Sequence, residues 1–145
     1  MRTHTSAQDY PVRLCLLGNA LFSTMSGVVL LVAPTTAAAL LGPGITKTWL
    51  VGLAIGLLGF AAMIVLNIRR PSVNLKEARV TTLLDFLWVA GSIAALTLLD
   101  DRVLSPAGRW LIGAIALVVL IFALMQVVGL RLAARGASCG VAAAG

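Results

Sequence analysis

The chain has 145 residues, of which 60% are hydrophobic and 11% charged, with a mean hydropathy of +1.04 and a net charge of +6. A soluble domain is about 25% charged, so this chain has too little polar surface to coat a water-soluble globule. That excludes a soluble enzyme, a disordered chain and a nucleic-acid-binding domain, and the length allows one domain.

Residues 1–11 read as a polar N-terminal arm. Four apolar runs follow: Val12–Ala33, Thr48–Ile68, Val80–Leu99 and Trp110–Leu130. Each holds about 20 residues, enough for a helix rising ~1.5 Å per residue to cross a hydrocarbon core of ~30 Å. In lipid every backbone N–H and C=O must be paired within its own segment, which makes the runs helices. The alternating strands of a membrane barrel are absent. The expected fold is therefore all-α, a membrane bundle of four helices over residues 12–132. The Ala- and Gly-rich stretch 133–145 reads as a disordered tail.

Arg2 and Arg13 before the first run, and Ala37, Ala38 and Ala39 after it, suit a cleaved leader. The apolar stretch of a leader is about 7–15 residues, shorter than this run, so a retained helix is expected. Pro34, Gly42, Pro43 and Gly44 break the chain after the first run, and Thr35–Leu41 is too short to span. That stretch reads as a turn of helix at the outer interface. Gly52 and Gly56 form a G-x-x-x-G in the second run, with Gly59 close to that face. Ser23 with Gly27, and Gly91 with Ala95, repeat the small-residue spacing. Small residues let helices approach closely, so these positions are expected to pack within the bundle, or alternatively between chains. Arg69, Arg70 and Pro71 form the second break; Asp100, Asp101, Ser105, Pro106 and Gly108 form the third.

Asn19-Ala20-Leu21-Phe22 is echoed by Asp85-Phe86-Leu87-Trp88, and Trp49-Leu50-Val51-Gly52 by Trp110-Leu111-Ile112-Gly113. The echo fits either a parallel duplication of a two-helix hairpin or chance among apolar segments.

Asp85 is the one ionisable side chain well inside a run, about five residues or ~8 Å from its start. Asn19, Asn67 and Gln126 are expected at the same end of the other helices, which together would form a polar pocket open toward the cytoplasm. Arg13, Arg79 and Arg131 stand at its rim as counter-charges. The cluster is either structural, with amides tying helices together, or an ion or proton site, since intramembrane carboxylates mark such pathways.

No cofactor or metal site is legible. The single histidine, His4, lies in the arm, and Cys15 and Cys139 form no C-x-x-C. Nucleophile-elbow and phosphate-loop motifs are absent as well, so the chain does not read as an enzyme.

Asn19-x-x-Phe22-Ser23-x-x-Ser26-Gly27, the Pro-rich turn, Trp49-Leu50-x-Gly52 and Asp85-x-x-Trp88 resemble small bacterial inner-membrane proteins of the broad DoxX-like neighbourhood. The likeness covers residues 12–132. Members of that neighbourhood have been suggested to act as small subunits of redox complexes. For this chain the resemblance implies the four-helix architecture and carries over no functional residue. Small multidrug transporters share only size and helix count: their membrane carboxylate is in the first helix, where this chain has Asn19. The resulting expectation is a structural or accessory protein of the bacterial inner membrane. It would act through helix contacts, as a homo-oligomer or as a subunit of a larger membrane complex. The alternative is a small proton-coupled carrier using Asp85.

Orientation follows from the basic residues. Arg2, Arg13, Arg69, Arg70, Lys76, Arg79, Arg131 and Arg135 make eight on one side, against Lys47, Arg102 and Arg109, three on the other. The positive-inside rule puts both termini in the cytoplasm. Trp49 and Trp110 then open their helices at the outer interface, with Tyr10 at the inner one. A C-terminal alkaline phosphatase fusion should be inactive and a C-terminal fluorescent protein bright; the reverse pair would invert the topology.

Overall fold

The computed structural model describes residues 10–142, with side chains given for Tyr10 and for residues 12–132. Five helices follow in order: α1 (Tyr10–Val32), α2 (Pro34–Leu41), α3 (Lys47–Ile68), α4 (Leu75–Leu98) and α5 (Pro106–Ala142). Among the described residues there is no strand. Helices α1, α3, α4 and α5 are each long and apolar enough to cross a membrane, and the chain is a multi-pass membrane protein. Its surface fits a lipid solvent: Met25, Ile55, Leu66, Leu83, Leu87 and Leu117 are all exposed. Trp49 and Trp110, 77% and 82% exposed, stand in the opening turns of α3 and α5 at the same end of the bundle, as expected for interface anchors.

The helix ends depart from the hydropathy boundaries because caps, not hydrophobicity, set them. Helix α4 starts at Leu75, five residues before Val80, because the Asn74 side chain accepts from the Lys76 N–H at 3.0 Å. Helix α5 starts at Pro106, where a missing N–H costs nothing, and Ser105 Oγ accepts from the Gly108 N–H at 2.9 Å. Thr46 caps α3 in the same way. Thr35–Leu41 is indeed helical, within α2. The expected disordered tail is corrected over most of its length: α5 runs on to Ala142. Ala133, Ala134 and Ala137 favour helix there, since alanine loses no side-chain entropy on entering one. His4 lies outside the described residues, as does the side chain of Cys139. Cys15, in α1, is a free thiol.

Helix α1 packs against both α3 and α5, and α5 against α4. Helices α3 and α4 touch far less, and are tied at the turn between them. Val12, Leu16 and Ala20 of α1 form a core with Ile64 and Ala78 at the end that carries the α3–α4 turn. There Arg13 donates to the carbonyl oxygens of Ile68 (2.7 Å), Arg70 (2.9 Å) and Pro71 (2.8 Å), which closes the C-terminus of α3. At the opposite end Arg109 does the same for α4, donating to Leu96 O at 2.9 Å and Leu99 O at 2.6 Å. Carbonyls at a helix C-terminus have no partner within the helix and carry its negative pole, so a guanidinium satisfies both needs.

Helix α2 lies across the Arg109 end. Ser105 donates from its backbone to Leu41 O (2.8 Å) and from its hydroxyl to Leu40 O (2.6 Å), and Gly44 N–H reaches Val103 O (3.2 Å). The approach is so close that a Cβ on Gly108 would collide with the Leu41 backbone. Gly42 has φ +143°, which an L side chain rarely adopts.

Two glycine substitutions should therefore act in opposite directions. Gly108→Ala should destabilise by about 1–3 kcal/mol through overpacking. Gly52→Ala, where an added Cβ meets nothing within 4 Å, should raise the detergent melting temperature slightly, since alanine is the better helix former by about 0.5–1 kcal/mol. Thermal melts of both variants in one detergent check the pair.

A buried carboxylate at the closed end of a lateral cleft

Asp85 lies ten residues beyond Leu75, or ~15 Å along a helix of ~36 Å at 1.5 Å per residue. Because α4 starts earlier than the hydropathy boundary, Asp85 lies near the middle of its helix rather than in the second turn. The residue is 3% exposed. Asn19 Nδ2 of α1 donates to Asp85 Oδ2 at 2.7 Å, and Gln126 Nε2 of α5 donates to the same oxygen at 2.8 Å. Oδ1 accepts no hydrogen bond among the described residues. The Thr82 hydroxyl lies 2.8 Å from Gln126 Oε1 and 2.9 Å from Ala78 O. Ser23 Oγ reaches Asn19 Oδ1 at 3.5 Å. Three helices thus converge on one carboxylate, and their partners are nearly fully buried, as polar groups in lipid must be if paired.

Asn19, Gln126 and Asp85 come together as expected; Asn67 does not join them. It clasps the α3–α4 turn, accepting from the Asn74 N–H at 2.9 Å and donating to Asn74 O at 3.2 Å. Its position at the very end of α3 places it beyond reach of the Asp85 layer. The expected arginine counter-charges are also absent from the carboxylate. Arg13 is committed to carbonyls, while Arg79 and Arg131 line a shallow basin of about 370 Å³ with Thr82 and Phe86. The ion pairs among the described residues are Arg70–Glu77 (2.6 Å) and Arg109–Asp101 (3.1 Å).

On its other side Asp85 faces a cleft of about 810 Å³ whose lining runs toward α2, away from the Arg13 end. Helices α3 and α4 stand apart there and leave the bundle open between them. Asn19, Phe22, Ser23 and Ser26 of α1 share one helical face and form the floor with Leu111, Ile112, Ile115 and Val119 of α5. Leu84, Asp85, Trp88 and Ser92 of α4 make one wall, and Gly52, Leu53, Gly56 and Leu57 of α3 the other. Thr36, Ala37 and Leu40 of α2 lie at the far end. The lining is mostly apolar; Asn19 and Ser23 lie nearest Asp85, while Ser26, Ser92 and Thr36 are spread along the cleft.

The small-residue pattern is redistributed accordingly. Gly27 does pack: an added Cβ would sit 2.9 Å from Leu58 Cγ, and Ser23 beside it is buried. Gly52, Gly56, Gly59 and Gly91 have nothing within 4 Å, so the expected packing of the G-x-x-x-G and of Gly91 with half-buried Ala95 does not occur within this chain. Gly18, under Phe122 (3.0 Å), and Gly129, under Val12 (3.0 Å), also admit a neighbour. Their partners are large residues on another helix, a pairing that small-residue spacing cannot reveal. Trp88, one turn beyond Asp85, is a site residue that the sequence signalled only through the echo and the family resemblance. Its Nε1 is buried without an acceptor.

Replacing Asp85 tests the knot. Asp85→Asn retains an acceptor for both amides and should leave the detergent melt almost unchanged. Asp85→Leu strands the Asn19 and Gln126 donors and should cost on the order of 1–2 kcal/mol. Equal melts for the two variants would contradict the role of the hydrogen bonds.

Comparison with family models, curated proteins and solved structures gives no match to this chain.

Proposed function

We propose that this is a membrane-embedded binding protein that admits a lipophilic small molecule from the bilayer through the gap between α3 and α4. The observation that carries the reading is the glycine wall. Gly52 and Gly56 line the cleft and an added Cβ at either meets nothing, so the space they create is not filled by the chain itself. A volume of about 810 Å³ is within the ~300–1,000 Å³ usual for ligand sites, which are mostly apolar with few polar groups. The lateral opening faces lipid, which makes bilayer-dissolved molecules the natural source. The basic residues gathered at the Arg13 end support cytoplasmic termini, with a bacterial inner membrane as the proposed setting. The same open glycines favour one other reading, in which a helix of a second copy or of a larger complex docks against Gly52-x-x-x-Gly56.

Gly56→Leu separates the two. Under the binding reading the variant folds with a wild-type melt, stays in the wild-type oligomeric state in nanodiscs, and loses most of the Nile red binding measured against empty nanodiscs. Unchanged Nile red binding, together with a shift in oligomeric state, would replace the binding site with a helix-docking face.

A further inference from the structure

The closed end of the cleft holds an acid without a counter-charge. Among the described residues no lysine, arginine or histidine lies within ion-pair distance of Asp85. Arg13 is held by the carbonyls at the end of α3, and Arg79 and Arg131 line the basin on the far side of Thr82. Asn19 and Gln126 stabilise the carboxylate through dipoles, but they are neutral, and both use Oδ2. Oδ1 is left to the cleft that Asp85 lines. An ionised carboxylate deep in a span is costly, and such groups pair with an opposite charge. Two aromatic rings, Trp88 and Phe22, line the cleft beside it, and aromatic faces attract cations.

We infer that the ligand of this cleft is a lipophilic cation, a hydrophobic body bearing a protonated amine. Its tail lies along the Gly52 and Gly56 wall, and its ammonium group donates to Asp85 Oδ1 within reach of the Trp88 ring. The inference rests on the binding reading above and adds the charge of the ligand to it. A neutral ligand would fill the same volume and leave the carboxylate uncompensated, and an anion would be repelled by it. The lateral opening suits a molecule of this class, which partitions into the bilayer while keeping its charge.

Two probes with the same tail decide it: a dansyl-labelled undecylamine and its N-acetylated, neutral counterpart. Each is titrated against the full chain in phosphatidylcholine nanodiscs, with empty nanodiscs as the background. The amine should bind at least about tenfold more tightly than the acetamide. In Asp85→Asn the two affinities should converge, with acetamide binding retained, and Asp85→Glu should keep the preference. Equal affinities in the wild type would overturn the inference, as would a preference that survives Asp85→Asn. Should Asp85→Asn fail to fold, the wild-type and Asp85→Glu ratios still decide. Binding of neither probe would sink the binding reading itself, whereas equal binding of both sinks only the assignment of charge.

Discussion

Asp85 Oδ2 accepts one amide hydrogen from α1 and another from α5, and this shared acceptor organises the bundle. In lipid, helices gain little from burying apolar surface against one another, because the tails outside are as apolar as the core. What fixes a helix in place is close packing and hydrogen bonding. The carboxylate supplies the second for α1, α4 and α5 together. Helix α3 contributes nothing to the knot; its amide residue, Asn67, is used at the turn into α4. It is held instead along α1, through Gly27 and Leu58, and by the Arg13 clamp at its end. A bundle with three helices knotted and the fourth attached along one side opens where the fourth has no partner.

The echo between the two hairpins has a spatial counterpart. Asn19 and Asp85, its first residues, touch each other, and Phe22 and Trp88, its last, both line the cleft. If α1 and α3 correspond to α4 and α5, then the α1–α5 contact corresponds to the α3–α4 contact. The first is closed, by Gly18 under Phe122, Gly129 under Val12 and a Phe22–Phe122 ring pair 6.1 Å apart. The second has no such interlock, and the cleft lies there. Under such a correspondence, the departure from symmetry would lie at this contact.

The four spans, the short α2 and the meeting of Asn19, Gln126 and Asp85 were legible in the sequence because each depends on local composition or on depth along a helix. Hydropathy locates an apolar run, and a polar residue within it must find partners at its own level. The helix starts were not legible from hydropathy, because Lys76, Glu77 and Arg79 lie in the first turns of α4 and look like loop. The destinations of Arg13 and of the α3 glycines were hidden for a different reason. Both depend on which helices are neighbours, and a small residue reads the same whether it admits a helix or leaves a void. Gly27 and Gly56 show the two outcomes on facing helices.

The depth of Asp85 has an electrical consequence. The carboxylate lies about midway along α4, and the cleft gives access to it from one side, whereas Gln126 and Thr82 fill the other. A cation that reached Asp85 from one face of the membrane would cross part of the transmembrane field, and so part of the ~2.3 kcal/mol per 100 mV that a full crossing involves. Under the proposed occupancy by a cation, binding at this residue would therefore depend on the resting voltage of the membrane.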